Sequence, residues 1–363
     1  MSEHRGRLVL LPQNRVHRLY AGGRTLDAIA GAADPRDSDR PEDWIASVTE
    51  SSLAPDGARP DGASTVLIGG QQADFRTLLE EDPDYFLGPD HVRRFGAHPM
   101  LLVKLLDASR RFFFQVHPSQ AFAREHLGTA SGKTEAYHIL GVRPGSGQPF
   151  LYIGFQHPPQ PAELRRMVEQ QDIAALERCF EKIPVAPGYT YLVPGGVPHA
   201  IGGEILLVEI QEPTDFVVRY EFSSADRAAP EATRFMGRGV DFALAMTDFS
   251  ARPRERIERD HRCRPRNPTE LGPGSWREEL IGPEQTPCFR VRRAVLGGST
   301  TLPGDGPRIC IVTSGSLVAE AGGEAHALKT YDKFFVPAGL GPLCLTPGPR
   351  AEILECLPPL PGP

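Results

Sequence analysis

Three short segments carry side chains able to act together on one ion or substrate. Gly188 to His199 reads Gly-Tyr-Thr-Tyr-Leu-Val-Pro-Gly-Gly-Val-Pro-His. That is a glycine turn, a short strand, a Pro-Gly-Gly turn and a histidine opening the next strand, which marks His199 as a metal ligand. In Phe112-Phe113-Phe114-Gln115-Val116-His117-Pro118 the alternation of a strand turns Gln115 and His117 to one side, and Pro118 ends ladder pairing. In Gly132-Lys133-Thr134-Glu135 the same alternation puts Lys133 and Glu135 on one face, just before the apolar run Ala136 to Leu140. A polar strand end and an exposed hairpin are the bland alternatives for these last two segments.

Two imidazoles, one carboxylate and one amide oxygen suit a divalent transition metal, most readily zinc. With Glu135 as the only anionic ligand the ion keeps positive charge and acts as a Lewis acid. An open position would take water or substrate oxygens, as in catalytic rather than structural sites. Further on, Val208-Glu209-Ile210-Gln211-Glu212-Pro213-Thr214-Asp215-Phe216-Val217-Val218-Arg219 sets an arginine in an apolar strand. Arg219 needs an anion there, from Asp215, from Glu221 or from a bound substrate. His98 and His138 sit beside strand-like runs and read as structural. His4, His17, His91, His126, His157, His261 and His326 have no partner at ligand spacing.

The elements that hold these residues are mostly strands. The 37 glycines and 36 prolines punctuate short apolar runs such as Thr65-Val66-Leu67-Ile68 and Ile205-Leu206-Leu207-Val208, which favours sandwiches or barrels over a parallel sheet with crossover helices. Helical spacing is confined to insertions at about 69–98 and 161–182. A chain of 363 residues suits two domains. The expected division is a catalytic domain over 1–249, an exposed arginine- and proline-rich connector over 250–270, and a second unit of strands over 271–363. That second unit echoes the first motif in Tyr331-Asp332-Lys333-Phe334-Phe335-Val336-Pro337-Ala338-Gly339-Leu340-Gly341-Pro342, with Pro342 where the first copy has His199. The repeat keeps its shape and loses its metal.

Composition narrows the partners. With 40% hydrophobic and 24% charged residues the chain reads as an ordinary soluble globular protein, and a net charge of −6 argues against nucleic acid or an anionic membrane. The arginines of the connector alternate with acids and have no aromatics among them, unlike a nucleic-acid arm. Leu8-Val9-Leu10-Leu11 is too short for a signal-peptide core, so a cytoplasmic protein is expected. The six cysteines form no CxxC or CxxH pair and read as reduced thiols.

The Gly188 to His199 segment matches the second motif of the cupin superfamily. Through Pro99 to Ala108, Gln115-Val116-His117-Pro118, Gly132-Lys133-Thr134-Glu135, Val193 to Ile201 and Glu209 to Arg219, the chain resembles type I phosphomannose isomerases of the short bacterial form. The resemblance implies a mainly β fold of two cupin-like jelly-roll barrels with a small helical subdomain and a metal site in the first barrel only. It implies that Gln115, His117, Glu135 and His199 hold one zinc per chain, that Arg219 is the catalytic-site arginine, and that Lys133 and Asp215 lie beside the reacting carbons. The implied reaction is aldose–ketose isomerisation, mannose 6-phosphate to fructose 6-phosphate, through a cis-enediolate. The expected partner is thus a sugar or sugar phosphate, and the expected assembly a monomer or homodimer.

A base must carry the proton between C1 and C2. Lys133 serves only if burial and nearby cations make it neutral; Glu204 is the other candidate. The chain also departs from the family. The serine two residues before the metal-binding glutamine is Phe113, a Trp-Gly-Gly becomes Tyr20-Ala21-Gly22-Gly23, and the acid expected soon after His-Pro is replaced by Ser119-Gln120. Arg110, Arg111 and Arg124 are candidates for a relocated phosphate clamp. The alternatives are an isomerase of another or unphosphorylated sugar, a non-catalytic metal-dependent sugar-binding cupin, and a zinc-stabilised structural protein.

Overall fold

The computed structural model describes residues 4–53, 61–145, 147–223 and 228–362. Met1 to Glu3, ahead of the run read above for a leader, lie outside them. The fold is mainly β, and among the described residues the strands form three antiparallel sheets of 7, 5 and 11 strands. The 7-stranded sheet is the middle layer. Period-2 alternation explains how it serves two neighbours. Leu106, Tyr137, Ile139, Tyr191 and Leu207 turn to the 5-stranded sheet, where they meet Leu151, Ile153 and Ile201. Val103, Leu105, Ala136, Val208 and Ile210 turn the other way and pack with Ile281, Val291, Ile309, Phe335 and Leu354 of the 11-stranded sheet. Because both faces are covered, Leu102–Ala108 and Ile205–Gln211 are buried along their whole length.

Helices cover what the sheets leave. Pro161–Gln170 starts with Pro161 at the first turn and a capping box between Gln160 and Glu163, and buries Leu164, Met167 and Val168. With Ile173–Glu177 and Val240–Met246 it closes the outer face of the 5-stranded sheet over Phe114, Tyr152 and Ala200. Phe75–Glu81, capped by Asp74 on the Thr77 amide, begins a run continued by Pro83–Leu87 and Pro89–Phe95. These two runs of helix lie within 69–98 and 161–182.

The connectivity differs from the sequence reading in two places. The strands Val9–Leu10, Thr65–Ile68 and Gln71–Asp74 extend the sheet of the C-terminal strands, with Val9 opposite Phe335. Hydrogen bonding thus does not respect a division at residue 249. The predicted connector 250–270 is ordered: Arg254–Asp260 is a helix that buries Ile257, with Arg256–Asp260 and Glu258–Arg262 ion pairs one turn apart at 3.4 and 2.9 Å. Arg262–Cys263 then pairs with Thr190–Tyr191. Alternating charges that look like a solvated linker instead line one side of a short helix. The six cysteines are unpaired, and among the described residues no helix is long and apolar enough to cross a membrane.

Candidate active site

Strand register brings the three segments together at one end of the space between the 7- and 5-stranded sheets. In the 5-stranded sheet His199, Gln115 and Arg219 form a single row, since Gln115 stands opposite both of the others. In the 7-stranded sheet Gln211, Glu135 and Val193 form another, and Trp44, Lys104, Glu209 and Tyr137 the next. Residues directly opposite one another share a face, so one functional residue in a row fixes the aim of its neighbours. The loops next to His117, Glu135 and His199 lock against each other through glycine. A Cβ on Gly132 or on Gly195 would stand 2.4 Å from the Pro118 carbonyl oxygen, closer than any side chain permits. The Gly196 amide, at φ 90°, donates to the His117 carbonyl at 2.7 Å.

His117, Glu135 and His199 are buried, and their ligand atoms lie within 4.8 Å of one another. His199 Nε2 is 2.9 Å from Glu135 Oε1, and His117 Nε2 is 3.4 Å from Oε2. The Val197 carbonyl accepts from His199 Nδ1 at 2.9 Å, which leaves Nε2 with its lone pair turned to the cluster. Burial, reinforced by Lys133, pushes His117 down to about 3, so this imidazole is neutral. Burial alone would raise Glu135, but Lys133 and the two histidines hold it well below the usual carboxylate range. Glu135 Oε2 has no hydrogen-bond partner. Gln115 Nε2 stands 3.2 Å from His199 Nε2, and a half-turn of its amide offers Oε1 in the same place. Neutral imidazoles, an ionised carboxylate with an orphaned oxygen and an amide make a donor set that fits a divalent cation.

From this cluster a chain of buried charges alternates in sign along the cavity. Glu135 is 3.2 Å from Lys133, Lys133 3.8 Å from Glu209, and Glu209 3.3 Å from Lys104. Lys104 is 3.6 Å from Glu42, Glu42 3.2 Å from Arg18, and Arg18 3.0 Å from Asp215. Burial raises Glu209 to about 7, with Lys104 and Lys133 opposing and Glu135 reinforcing. It is therefore a carboxylate that changes charge near neutral pH. Arg219, 6% exposed, has only the Thr233 carbonyl as a hydrogen-bond partner, at 2.6 Å, and no carboxylate within ion-pair distance among the described residues. Burial and then Arg18 lower it to about 10.

A cavity of about 240 Å³ runs over these groups, lined by Arg18, Lys104, Gln115, Lys133, Glu209 and Arg219 among others. Phe113, Arg110 and Arg111 lie on its wall, but Arg111 is held by Glu221 through two bonds of 2.7 and 3.0 Å. Arg124 lines a different cavity, with Arg94 and the C-terminal prolines. Asp215 does not reach the cavity: Arg18 grips both of its oxygens, and the Ser52 amide and hydroxyl donate to it. Glu204 does not reach it either. It occupies the turn before Ile205–Gln211 at φ 66°, its amide donating to Ala108, and it lines no part of the cavity. Neither anion suggested by the sequence neutralises Arg219, because Asp215 and Glu221 are taken by Arg18 and Arg111. Glu209, Lys104, Glu42 and Arg18 went unassigned in the sequence reading. Their signal was the one that singled out Arg219, a charge set among apolar strand residues.

No protein-family model matches the chain. Among curated proteins, the mannose-6-phosphate isomerase of Streptococcus mutans is 27% identical over 339 residues, which is 90% of this chain and 92% of that protein. The mannose-6-phosphate isomerase ManA of Bacillus subtilis is 26% identical over 288 residues, 78% of this chain and 82% of its own. Among solved structures, the mannose 6-phosphate isomerase of Bacillus subtilis superposes with a TM-score of 0.74 at 21% identity, covering 96% of this chain and 99% of the other. A mutant of the Salmonella typhimurium phosphomannose isomerase gives 0.70 at 16% identity, with 97% and 100% covered. With relatives of one name aligned along most of its length and the same fold throughout, the chain is similar to mannose-6-phosphate isomerases in sequence and fold.

Proposed function

We propose that the protein is a zinc-dependent aldose–ketose isomerase that interconverts mannose 6-phosphate and fructose 6-phosphate. The observation that carries this reading is Arg219, a buried guanidinium with no carboxylate within ion-pair distance among the described residues, facing a cavity that also holds Glu209 and Lys133. A cation in that position stabilises an oxyanion that develops during reaction. Gln115, His117, Glu135 and His199 would hold the zinc, and the ion when bound supplies a Lewis acid for the sugar oxygens.

The chain's own residues then divide the work. Glu209, raised to about 7, takes the proton from C2 of the open-chain aldose and returns it to C1. The C2–H electron pair becomes the C1–C2 double bond as the C1 carbonyl pair moves onto O1. The O2–H pair then becomes the C2 carbonyl as the double bond takes the proton at C1, and the O2 proton passes to O1, so C1 is reduced and C2 oxidised within one molecule with no outside oxidant. Lys133, 3.8 Å from Glu209 and 3.2 Å from Glu135, keeps both carboxylates charged and aligned. Asp215 acts through Arg18, fixing it in the cavity wall, and Glu204 shapes the turn that begins its strand. The surrounding sheets are read as two cupin-like barrels, with the site in the first, in a cytoplasmic enzyme acting on a small sugar phosphate as monomer or homodimer.

A second reading, an isomerase of an unphosphorylated sugar, is favoured by Phe113 on the wall and by the pairing of Arg111 with Glu221. Turnover of zinc-loaded protein on mannose 6-phosphate, fructose 6-phosphate and free mannose decides between them; reaction of the free aldose alone overturns the phosphate assignment. Arg219→Ala is expected to lower kcat by about 10²- to 10³-fold with zinc content unchanged. Sugar binding without any turnover by the intact protein would instead make it a sugar-binding cupin.

A further inference from the structure

The segment Gly132 to Thr134 presents Lys133 and leads into Glu135, yet ladder pairing begins only at Glu135 itself. Its backbone is held by other means. The Gly132 amide donates to Glu212 Oε1 at 3.0 Å and the Thr134 amide to Oε2 at 2.8 Å, while the Lys133 amide between them donates to the Pro118 carbonyl at 2.8 Å. The Glu212 amide returns a bond to the Thr134 carbonyl at 3.1 Å, and the Thr214 hydroxyl donates to the Gly132 carbonyl at 2.6 Å. Gln120 Nε2 is the third donor to the carboxylate, reaching Oε1 at 2.8 Å.

Glu212 is 2% exposed and has no cation within ion-pair distance among the described residues. Among the described residues it is met by three N–H donors, two of them from the residues flanking Lys133, and by the neighbouring Cys288 thiol. It lines no part of the cavity that holds Lys133 and Arg219. The bracket also reaches the other ligand turn, because the Gly195 amide donates to Thr134 Oγ1 at 3.3 Å.

We infer that Glu212 is a positioning residue for the reaction, its two carboxylate oxygens fixing the amides on either side of Lys133 and so setting the aim of both Lys133 and Glu135. This rests on the isomerase reading above for its effect on turnover, but not for its effect on Glu135. Two equivalent acceptors are required: an amide in the same place keeps one and turns two hydrogens toward an N–H donor in a buried setting.

Glu212→Gln in the full-length chain is the test. With zinc bound, kcat is expected to fall about 10- to 100-fold while KM stays within about threefold, as for loss of an outer-shell partner of a ligand. With cobalt in place of zinc, the visible spectrum is expected to shift and the metal dissociation constant to rise about 10-fold or more. Thr214→Val, which removes the bond to the Gly132 carbonyl, should show the same pattern more weakly and serves if Glu212→Gln does not fold. An unchanged cobalt spectrum and dissociation constant alongside a lowered melting temperature would overturn the inference, leaving Glu212 a structural bond. If the intact protein turns over no sugar phosphate, the isomerase reading fails, while the cobalt measurements still decide the role of Glu212.

Discussion

The strands Glu135–Val142 and Arg308–Ala321 begin in matching settings and end in opposite chemistry. Glu135 stands opposite Val193, one residue before Pro194; Arg308 stands opposite Val336, one residue before Pro337. One strand over, Glu209 lies opposite Tyr137 and Lys104, and Glu355 lies opposite Cys310 and Arg292. The acid–base pair of the middle sheet thus recurs in the C-terminal strands, while Glu135 gives way to an arginine and His199 to Pro342. The cluster around Arg308 closes on itself: Asp305 reaches Arg308 at 3.0 Å and Arg277 at 3.2 Å and pairs with Arg292, and Arg308 Nε lies 2.9 Å from Glu355. One framework therefore serves as a candidate site where, among the described residues, the charges leave Arg219 without an ion pair and facing a cavity, and as a plug where ion pairs fill the space.

The largest test of that contrast exchanges charge at the two strand starts. Glu135→Gln is expected to abolish tight zinc binding and to lower turnover by about 10³-fold or more, the several kcal/mol that a Lewis acid contributes. Arg308→Met should leave zinc content and kcat per folded molecule as they were. If Arg308→Met also strips the metal, the two regions are not separate in function. Its own effect is expected in urea unfolding, as a loss of about 3–5 kcal/mol, because Glu355 is left buried without its close partner. Adding Glu355→Leu should recover most of that loss.

The next test is electrostatic. Glu209 must be ionised to take a proton, and its value of about 7 means that the protonated fraction grows as pH falls. The kcat/KM profile is therefore expected to drop about tenfold per unit below about pH 7. A profile flat from pH 5 to 8 would remove Glu209 from the role of base. For Asp305, burial favours the neutral acid, but Arg292, Arg308 and Arg277 together hold it below its ordinary value. A depressed carboxylate stabilises the fold above its unfolded value and loses that contribution as pH falls, so the C-terminal cluster should weaken only in acid, below about pH 4.

Much of this was legible in the residues. Pro-Gly-Gly before His199, alternate Gln115 and His117, and Lys133 with Glu135 mark side chains that the structure brings together, because turn and strand chemistry act over a few residues. The echo ending at Pro342 was legible for the same reason. What escaped depends on pairing between distant strands. Lys104 in Leu-Val-Lys-Leu-Leu becomes a cavity residue only because Glu209 lies opposite it 105 positions later. Asp215 looked free for substrate because Arg18, 197 positions earlier, could not be seen to hold it. Glu204 looked close because it is near in sequence, but it sits at a positive φ in the turn that carries the chain from the 5-stranded to the 7-stranded sheet, away from the cavity. The docking of Val9–Leu10 onto the C-terminal sheet has no local signal at all.

The smallest expected effect lies one step inside the two strand starts, where Tyr137 and Cys310 occupy matching positions. The Tyr137 hydroxyl donates to Glu135 Oε1; burial, and then Glu135, raise the phenol well above its usual value and keep it protonated for that bond. Oε2 is left to the side where His117 and Lys133 converge. Tyr137→Phe keeps the ring and its packing with Ile139 and Leu207 but lets the carboxylate turn, so zinc affinity should weaken about 10-fold, the low end for an outer-shell partner. Cys310 has no ligand to orient and packs among Val312, Phe334 and Ile353. Cys310→Ala should accordingly cost about 1 kcal/mol of stability through a small cavity and change neither zinc affinity nor kcat. Equal zinc affinities for Tyr137→Phe and the parent chain would mean that Glu135 is aimed by its strand alone. The difference between the two regions would then reside wholly in the exchange of Glu135 and His199 for Arg308 and Pro342.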